Sequence, residues 1–117
     1  MNYIKKGRAV LRSRYLLLFA VISLPALSTP VFEIEIRNHL FFPSELTVPV
    51  NTKVKLLIIN RDSSAEEFES YELNREKIIP ANSKGVVFIG PLKPGVYPFF
   101  GEFFPKTAQG KIHVNEQ

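Results

Sequence analysis

A strand, an aromatic loop and a second strand follow one another in the segment Pro94–Val114, PGVYPFFGEFFPKTAQGKIHV. The segment opens with a Pro-Gly turn signal, and the β-branched and aromatic residues after it are typical of a strand. Near its end, Ile112 and Val114 alternate with other residues in the manner of a second strand. Residues 101–109 between the two strands are rich in aromatic side chains. This pattern predicts a β-hairpin whose strands are joined by an aromatic loop.

Short strands and turns fill the sequence before this hairpin. Phe32–Arg37 (FEIEIR) alternates strictly between apolar and charged residues, which is typical of a strand with one buried face. Lys53–Asn60 (KVKLLIIN) has the composition of a strand in a central sheet, and Gly85–Gly90 (GVVFIG) that of a buried strand. Because turn signals recur about every eight to twelve residues, the sequence predicts an all-β fold, a β-sandwich.

The segment Glu66–Lys77, EEFESYELNREK, differs from its surroundings because it contains five Glu among twelve residues. This composition is unusual for a domain rich in strands. Glu, Leu, Arg and Lys are all well tolerated in helices. We therefore expect a short helix or an irregular segment around residues 66–77.

The N-terminal residues have the order of a secretory signal peptide. Met1–Arg14 is basic, Tyr15–Leu24 is apolar, and the segment Ala26–Ser28 begins and ends with a small residue. An uncleaved membrane anchor is the alternative, but the apolar run is shorter than the ~20 residues that a membrane-spanning helix needs. The sequence predicts a signal peptide, or else an N-terminal anchor, over residues 1–28 and one domain over residues 29–117.

The formal net charge of +4 belongs to this leader and not to the domain. Five of the fifteen basic residues lie in the leader, and the first acidic residue is Glu33. The rest of the sequence holds ten basic and eleven acidic residues, a net charge of −1. We expect no nucleic-acid partner, because such a partner requires a basic patch on the domain.

The sequence contains no Cys. Disulfides and thiolate metal ligands are therefore impossible, and a copper centre built from Cys, His and Met is excluded. No glycine-rich phosphate loop and no H-E-x-x-H motif occur in the sequence. The sequence favours a binding protein over an enzyme.

The C-terminal hairpin resembles that of the cupredoxin family, Y-x-F-x-C-x-x-H-x-x-x-M-x-G-x-I-x-V. The positions that match this frame are Tyr97, Phe99, Gly110, Ile112 and Val114. Upstream, the stretch NHLFFPSELTVPVNTKVKLLIINRD is similar to the first sheet segment of the same family. The resemblance covers nearly all of the domain and implies a cupredoxin-like Greek-key β-sandwich.

The positions of the copper ligands depart from the family pattern. Gly101, Phe104 and Ala108 stand where the frame has Cys, His and Met. Glu66 follows Asn60 by six residues and so takes the place of the first His ligand of the copper-binding relatives. The resemblance therefore implies a cupredoxin-like domain without type 1 copper.

A narrower resemblance concerns the stretches NRDSSAEEFESYELNREK and FFGEFFPKTAQG. They are similar to small secreted cupredoxin-like proteins that accompany bacterial iron permeases and periplasmic iron-binding proteins of the P19 kind. The same group is related to the cupredoxin-like module of the EfeO iron-uptake protein. The resemblance implies a periplasmic protein that handles iron, or copper, with a permease or P19-like partner. Membrane contact is then expected only through the leader or a permease.

The candidate ligands for iron are Glu66, Glu67, His39 and Glu102. Carboxylates suit hard cations, and imidazole also suits iron. Each candidate has a structural alternative. Glu66 and Glu67 would face opposite ways on a strand, or would lie in a solvated acidic loop. His39 could be a half-buried residue with a backbone hydrogen bond, and Glu102 could be a partner in an ion pair.

Phe103 and Phe104 are candidate docking residues for a partner. Together with the two Phe residues that precede Gly101 they could form an apolar collar, although the strand alternation assigns Phe99 to the core. A second functional hypothesis follows from this loop. It describes a non-metal interaction module that docks a periplasmic partner through the aromatic loop and the acidic segment.

Overall fold

The computed structural model of the protein describes residues 18–23 and 28–116. These residues form nine β-strands and no helix. The strands are β1 (Val31–Arg37), β2 (Leu40–Phe42), β3 (Glu45–Val48), β4 (Val54–Asn60), β5 (Glu66–Ser70), β6 (Arg75–Ile79), β7 (Lys84–Ile89), β8 (Gly95–Gly101) and β9 (Gln109–Val114). The predicted all-β fold is confirmed.

The strands form two mixed sheets. The four-stranded sheet has the order β2-β1-β4-β7, and the five-stranded sheet has the order β3-β9-β8-β5-β6. β1 pairs with β4 in parallel, and β3 pairs with β9 in parallel. The other pairs are antiparallel, including the predicted hairpin of β8 and β9. The N-terminal strands therefore contribute to both sheets, as expected for a Greek-key sandwich.

The core lies between the two sheets and is built by alternation along each strand. Ile34 and Ile36 on β1 are fully buried, whereas the charged residues beside them are on the outer side. Three aromatic rings from different strands meet inside. The ring centroid of Phe99 lies 4.9 Å from that of Phe41 and 5.1 Å from that of Phe68. The predicted core position of Phe99 is confirmed.

The acidic segment is a β-hairpin, so the expected helix or irregular segment around residues 66–77 is wrong. β5 and β6 pair antiparallel, and Asn74 in the turn between them has a φ of 54°. Buried and partly exposed positions alternate along β5, with Glu66, Phe68 and Ser70 on the buried face. Pairing with β6 and β8 and burial of the Phe68 ring therefore outweigh the helix propensity of the Glu residues.

The predicted leader lies mostly on residues 1–17 and 24–27, outside the described part of the chain. Residues 18–23 are exposed and have no regular secondary structure. Across residues 18–23 and 28–116, no helix is long and apolar enough to cross a membrane. The division into a leader over 1–28 and a domain over 29–117 stays a prediction.

Candidate functional site

Three loops meet at the positions where the cupredoxin frame has its copper ligands. They are the β1–β2 turn, the β4–β5 loop and the β8–β9 loop. The turn between β1 and β2 is held by Asp62, whose carboxylate accepts hydrogen bonds from the backbone N–H groups of Asn38 (2.7 Å) and His39 (2.9 Å). Both of these residues have positive φ, at 53° and 60°. Non-Gly residues rarely adopt this conformation, and an Asn in such a turn is among those that tolerate it best. The β4–β5 loop thus fixes the place of His39.

The buried amide of Asn60 orders the loop that leads to Glu66. Its Nδ2 donates to the carbonyl oxygens of Ser64 (2.9 Å) and Ile79 (3.1 Å), and its Oδ1 accepts from the N–H of Asp62 (3.0 Å). Asn60 is 1% exposed. Because buried polar groups need partners, this amide can hold only one arrangement of the loop.

The Glu66 side chain points into the sandwich and not toward solvent. It is 1% exposed. Its Oε1 accepts hydrogen bonds from the backbone N–H groups of Glu67 and Phe103, each at 2.9 Å. Its Oε2 is also buried and has no hydrogen-bond partner among the described residues. The carboxyl group therefore joins β5 to the loop between β8 and β9.

Gly101 leaves the space that the Glu66 carboxyl group fills. A Cβ atom at position 101 would collide with Cδ and Oε2 of Glu66 and would lie 2.7 Å from Cβ of Ala108. Glu66, Gly101 and Ala108 stand at the positions of the first His, the Cys and the Met of the cupredoxin frame. Side-chain atoms of Glu66 therefore occupy the space that a Cys side chain at position 101 would need.

Phe104, at the second His position of the frame, stacks on His39. The ring centroids are 3.6 Å apart and the planes make an angle of 17°. Nδ1 of His39 lies 3.5 Å from Oδ2 of Asp62, so the charged partner of this imidazole is Asp62 and not a Glu. The stack therefore connects the β1–β2 turn to the aromatic loop.

A type 1 copper centre does not fit these residues. Gly101, Phe104 and Ala108 offer no donor atom at the Cys, His and Met positions, and the sequence has no Cys to supply a thiolate elsewhere. The carboxyl group of Glu66 takes up the space beside Gly101, at the Cys position of the frame.

A group of carboxylates lies on the outer face of the five-stranded sheet. Glu67, Glu69 and Glu76 each place one carboxylate oxygen within 4.8 Å of the others. We call these three residues the carboxylate cluster. The register of β5 with β6 brings the three side chains together, because Glu67 and Glu69 share one face of β5 and Glu76 is paired with Glu69 across the hairpin. None of the ion pairs between described residues involves a member of the cluster.

The surroundings of Glu69 disfavour its ionised form. Loss of solvent around the carboxyl group raises the pKa of Glu69, and the charge and hydrogen bond of Glu76 raise it further. The charges of Glu67 and Glu102 act in the same direction. The backbone N–H of Glu102 donates to the carbonyl of Glu67 at 2.9 Å. Negative charge is therefore concentrated on this side of the sheet.

The structure divides the four predicted iron ligands among three places. Glu66 is inside the sandwich, Glu67 and Glu102 are on the outer face near Glu69, and His39 stacks on the aromatic loop. The opposite orientations of Glu66 and Glu67 are those expected for neighbours on a strand. Of the predicted docking residues, Phe103 is 46% exposed and Phe104 is half-buried under His39.

Sequence reasoning missed three residues of this region: Asp62, Glu69 and Glu76. The period of two along EEFES could have placed Glu69 beside Glu67. Nothing in the sequence gives the pairing of Glu69 with Glu76, which depends on the hairpin register. The contact of Asp62 with the β1–β2 turn spans more than twenty residues of sequence and leaves no local signal.

Sequence comparisons identify relatives of the chain. A profile of the cupredoxin-like domain matches residues 12–114. The chain is 46% identical, over 84 residues, to an uncharacterized protein of Rickettsia prowazekii (strain Madrid E). That match spans 72% of this chain and 67% of the relative.

Solved structures share the fold. Auracyanin A, a blue copper protein from Chloroflexus aurantiacus, has a TM-score of 0.65 and 16% identity, covering 75% of this chain and 100% of auracyanin A. The metal-binding domain of the Cu(I)-exporting ATPase CopA of Streptococcus pneumoniae D39 has a TM-score of 0.66 and 16% identity, covering 78% of this chain and 92% of that one. The chain therefore belongs to the family of cupredoxin-like domains.

Proposed function

We propose that this protein is a periplasmic accessory protein of bacterial iron uptake, which binds iron as cargo on surface carboxylates. The observation that carries the proposal is the carboxylate cluster of Glu67, Glu69 and Glu76, with oxygen atoms within 4.8 Å of one another. Carboxylates are ligands for hard cations, and water molecules can complete the coordination of an exposed ion. A bound cation would also offset the repulsion that raises the pKa of Glu69.

The chemistry of such a site is that of holding and releasing an ion. The chain has no thiolate, and Glu66 takes up the space beside Gly101, so the domain offers no resident type 1 copper for electron transfer. Any assistance to the oxidation of ferrous iron would depend on the bound ion. Exposed carboxylates favour reversible binding, which suits delivery to an iron permease or a P19-like protein.

Calorimetric titration of residues 29–117 with ferrous, ferric, manganous and cupric ions tests the metal role. Saturable binding of iron is expected, and the double variant Glu69→Gln, Glu76→Gln is expected to lose it. Glu33→Gln is the matched control, because Glu33 is an exposed strand Glu of the other sheet. Iron binding that is absent from the unmodified protein, or equal in the double variant and the control, would refute the proposal.

A second candidate function is a non-metal interaction module that docks a periplasmic partner. The observation that favours it is Phe103, a large apolar side chain that is 46% exposed on a loop ordered by Glu66. Phe103→Ser should then abolish partner binding and iron-dependent growth. Phe42→Ser is the control, since Phe42 is 40% exposed on β2, outside the aromatic loop. Loss of growth in the carboxylate variant but not in Phe103→Ser would favour the metal role.

A further inference from the structure

We infer that Glu66 is a positioning residue that ties the aromatic loop to β5 without a metal. Its side chain stands at a position where copper-binding relatives carry a ligand, and it makes a direct link to the loop through the N–H of Phe103. The inference goes beyond the proposed function, because it concerns how the loop is held and not what the protein binds.

The hydrogen bonds of Glu66 are of a strong kind. One carboxyl oxygen accepts from both Glu67 and Phe103 at 2.9 Å, in an environment with almost no solvent. Hydrogen bonds gain strength where water is excluded, and a donor that loses its acceptor there is costly. The Phe103 N–H is in the middle of a loop, so no strand partner would replace this acceptor.

Burying the carboxyl group of Glu66 costs free energy. Oε2 has no hydrogen-bond partner among the described residues, and it faces the backbone of Gly101. Buried polar atoms without partners are rare and destabilising, and an apolar side chain would fill the same space at a lower cost. What the carboxyl group provides, and an apolar side chain does not, is the acceptor for Phe103.

The link depends on Gly101 as well as on Glu66. Any side chain at position 101 would collide with the carboxyl group and displace it from Phe103. The loop has other contacts that do not involve Glu66. The N–H of Ala108 donates to the carbonyl of Phe104 at 2.9 Å, and the N–H of Gly101 donates to the carbonyl of Ala108 at 2.8 Å. These bonds give internal references for an experiment on the loop.

Amide hydrogen exchange, followed residue by residue by NMR, tests the link in the absence of metal. Glu66→Met keeps a side chain of similar length but removes the acceptor, so the Phe103 amide should exchange at least about tenfold faster. Glu66→Gln keeps an acceptor oxygen and should restore most of the protection. The Gly101 and Ala108 amides should change much less in either variant. Ser70→Ala is the control, since it removes two hydrogen bonds of the same strand face, to the carbonyl of Pro98 and from the N–H of Leu73, without touching the loop.

Two results would overturn the inference. One is a Phe103 amide that is as protected in Glu66→Met as in the unmodified protein. The other is a uniform acceleration of all amides, which would show that Glu66 contributes only to global stability. If Glu66→Met does not fold, the unmodified protein decides the question. A Phe103 amide that exchanges there as fast as in an unstructured peptide has no acceptor, and the link does not exist.

Discussion

The contact between Gly101 and Glu66 predicts a strong energetic coupling between the two positions. Gly101→Ala introduces a Cβ that overlaps the carboxyl group of Glu66 and lies 2.7 Å from Cβ of Ala108. Overpacking of this kind costs about 1–3 kcal/mol. Displacing Glu66 from Phe103 leaves the N–H of Phe103 without its acceptor, which costs about 1–3 kcal/mol. We expect Gly101→Ala to lower the free energy of unfolding by roughly 2–6 kcal/mol in total.

Glu66→Ala should remove the part of that penalty that comes from Glu66, because the new methyl group then enters the space that the carboxyl group has left, whereas the close contact with Cβ of Ala108 remains. Urea unfolding of the two single variants and the double variant gives the coupling free energy, which we expect to exceed about 2 kcal/mol. Gly110→Ala is the control, since its Cβ would collide with the ring of Phe99 and not with Glu66. Effects of Gly101→Ala and Glu66→Ala that add to within about 0.5 kcal/mol would refute the steric argument.

Three further predictions concern carboxylates and the space beside Gly101 that Glu66 occupies. Because the pKa of Glu69 is raised in the folded state, the free energy of unfolding should rise as the pH falls through that raised value, with the gain complete below the ordinary value of 4.5. Urea unfolding between pH 7 and 4 should show this gain, and Glu69→Gln should remove it. Asp62→Ala leaves the N–H groups of Asn38 and His39 without their acceptor, and should cost about 2–4 kcal/mol in urea unfolding, whereas a loss below about 0.5 kcal/mol would contradict the structure. A cupric site with an intense visible absorption should form only when all four ligand positions are restored, by Glu66→His, Gly101→Cys, Phe104→His and Ala108→Met. Absorption of the same intensity in the triple variant that keeps Glu66 would show that its carboxyl group does not block the pocket.

Much of the fold follows from the period of two in the sequence. FEIEIR has the alternation of β1, and the aromatic and β-branched residues on both sides of the aromatic loop have that of β8 and β9. The error at residues 66–77 has a specific cause. Helix propensity is a small local term, whereas Phe68 is fully buried and its neighbours pair with β6 and β8. Packing decided the conformation of a segment whose composition indicated a helix.

The candidate site was predictable only in part. The frame placed Glu66 at a ligand position of the family, but its orientation opposite Glu67 followed only if the segment was a strand, which its composition did not indicate. Its contact with Gly101 could not be derived, because it depends on two strands that are far apart in sequence. The carboxylate cluster needed the register between Glu69 and Glu76, and a shift by one residue would have sent one of these side chains to the other face.

The parallel pairing of β3 with β9 limits how far the domain can fold during translation. Among the strands that the structure describes, β3 is an edge strand paired only with β9, so Glu45–Val48 lacks this pairing until Gln109–Val114 has been made. A nascent chain shorter than this cannot complete the five-stranded sheet. Such distant pairings also close slowly. Translation through Val114 must therefore precede the closure of the five-stranded sheet.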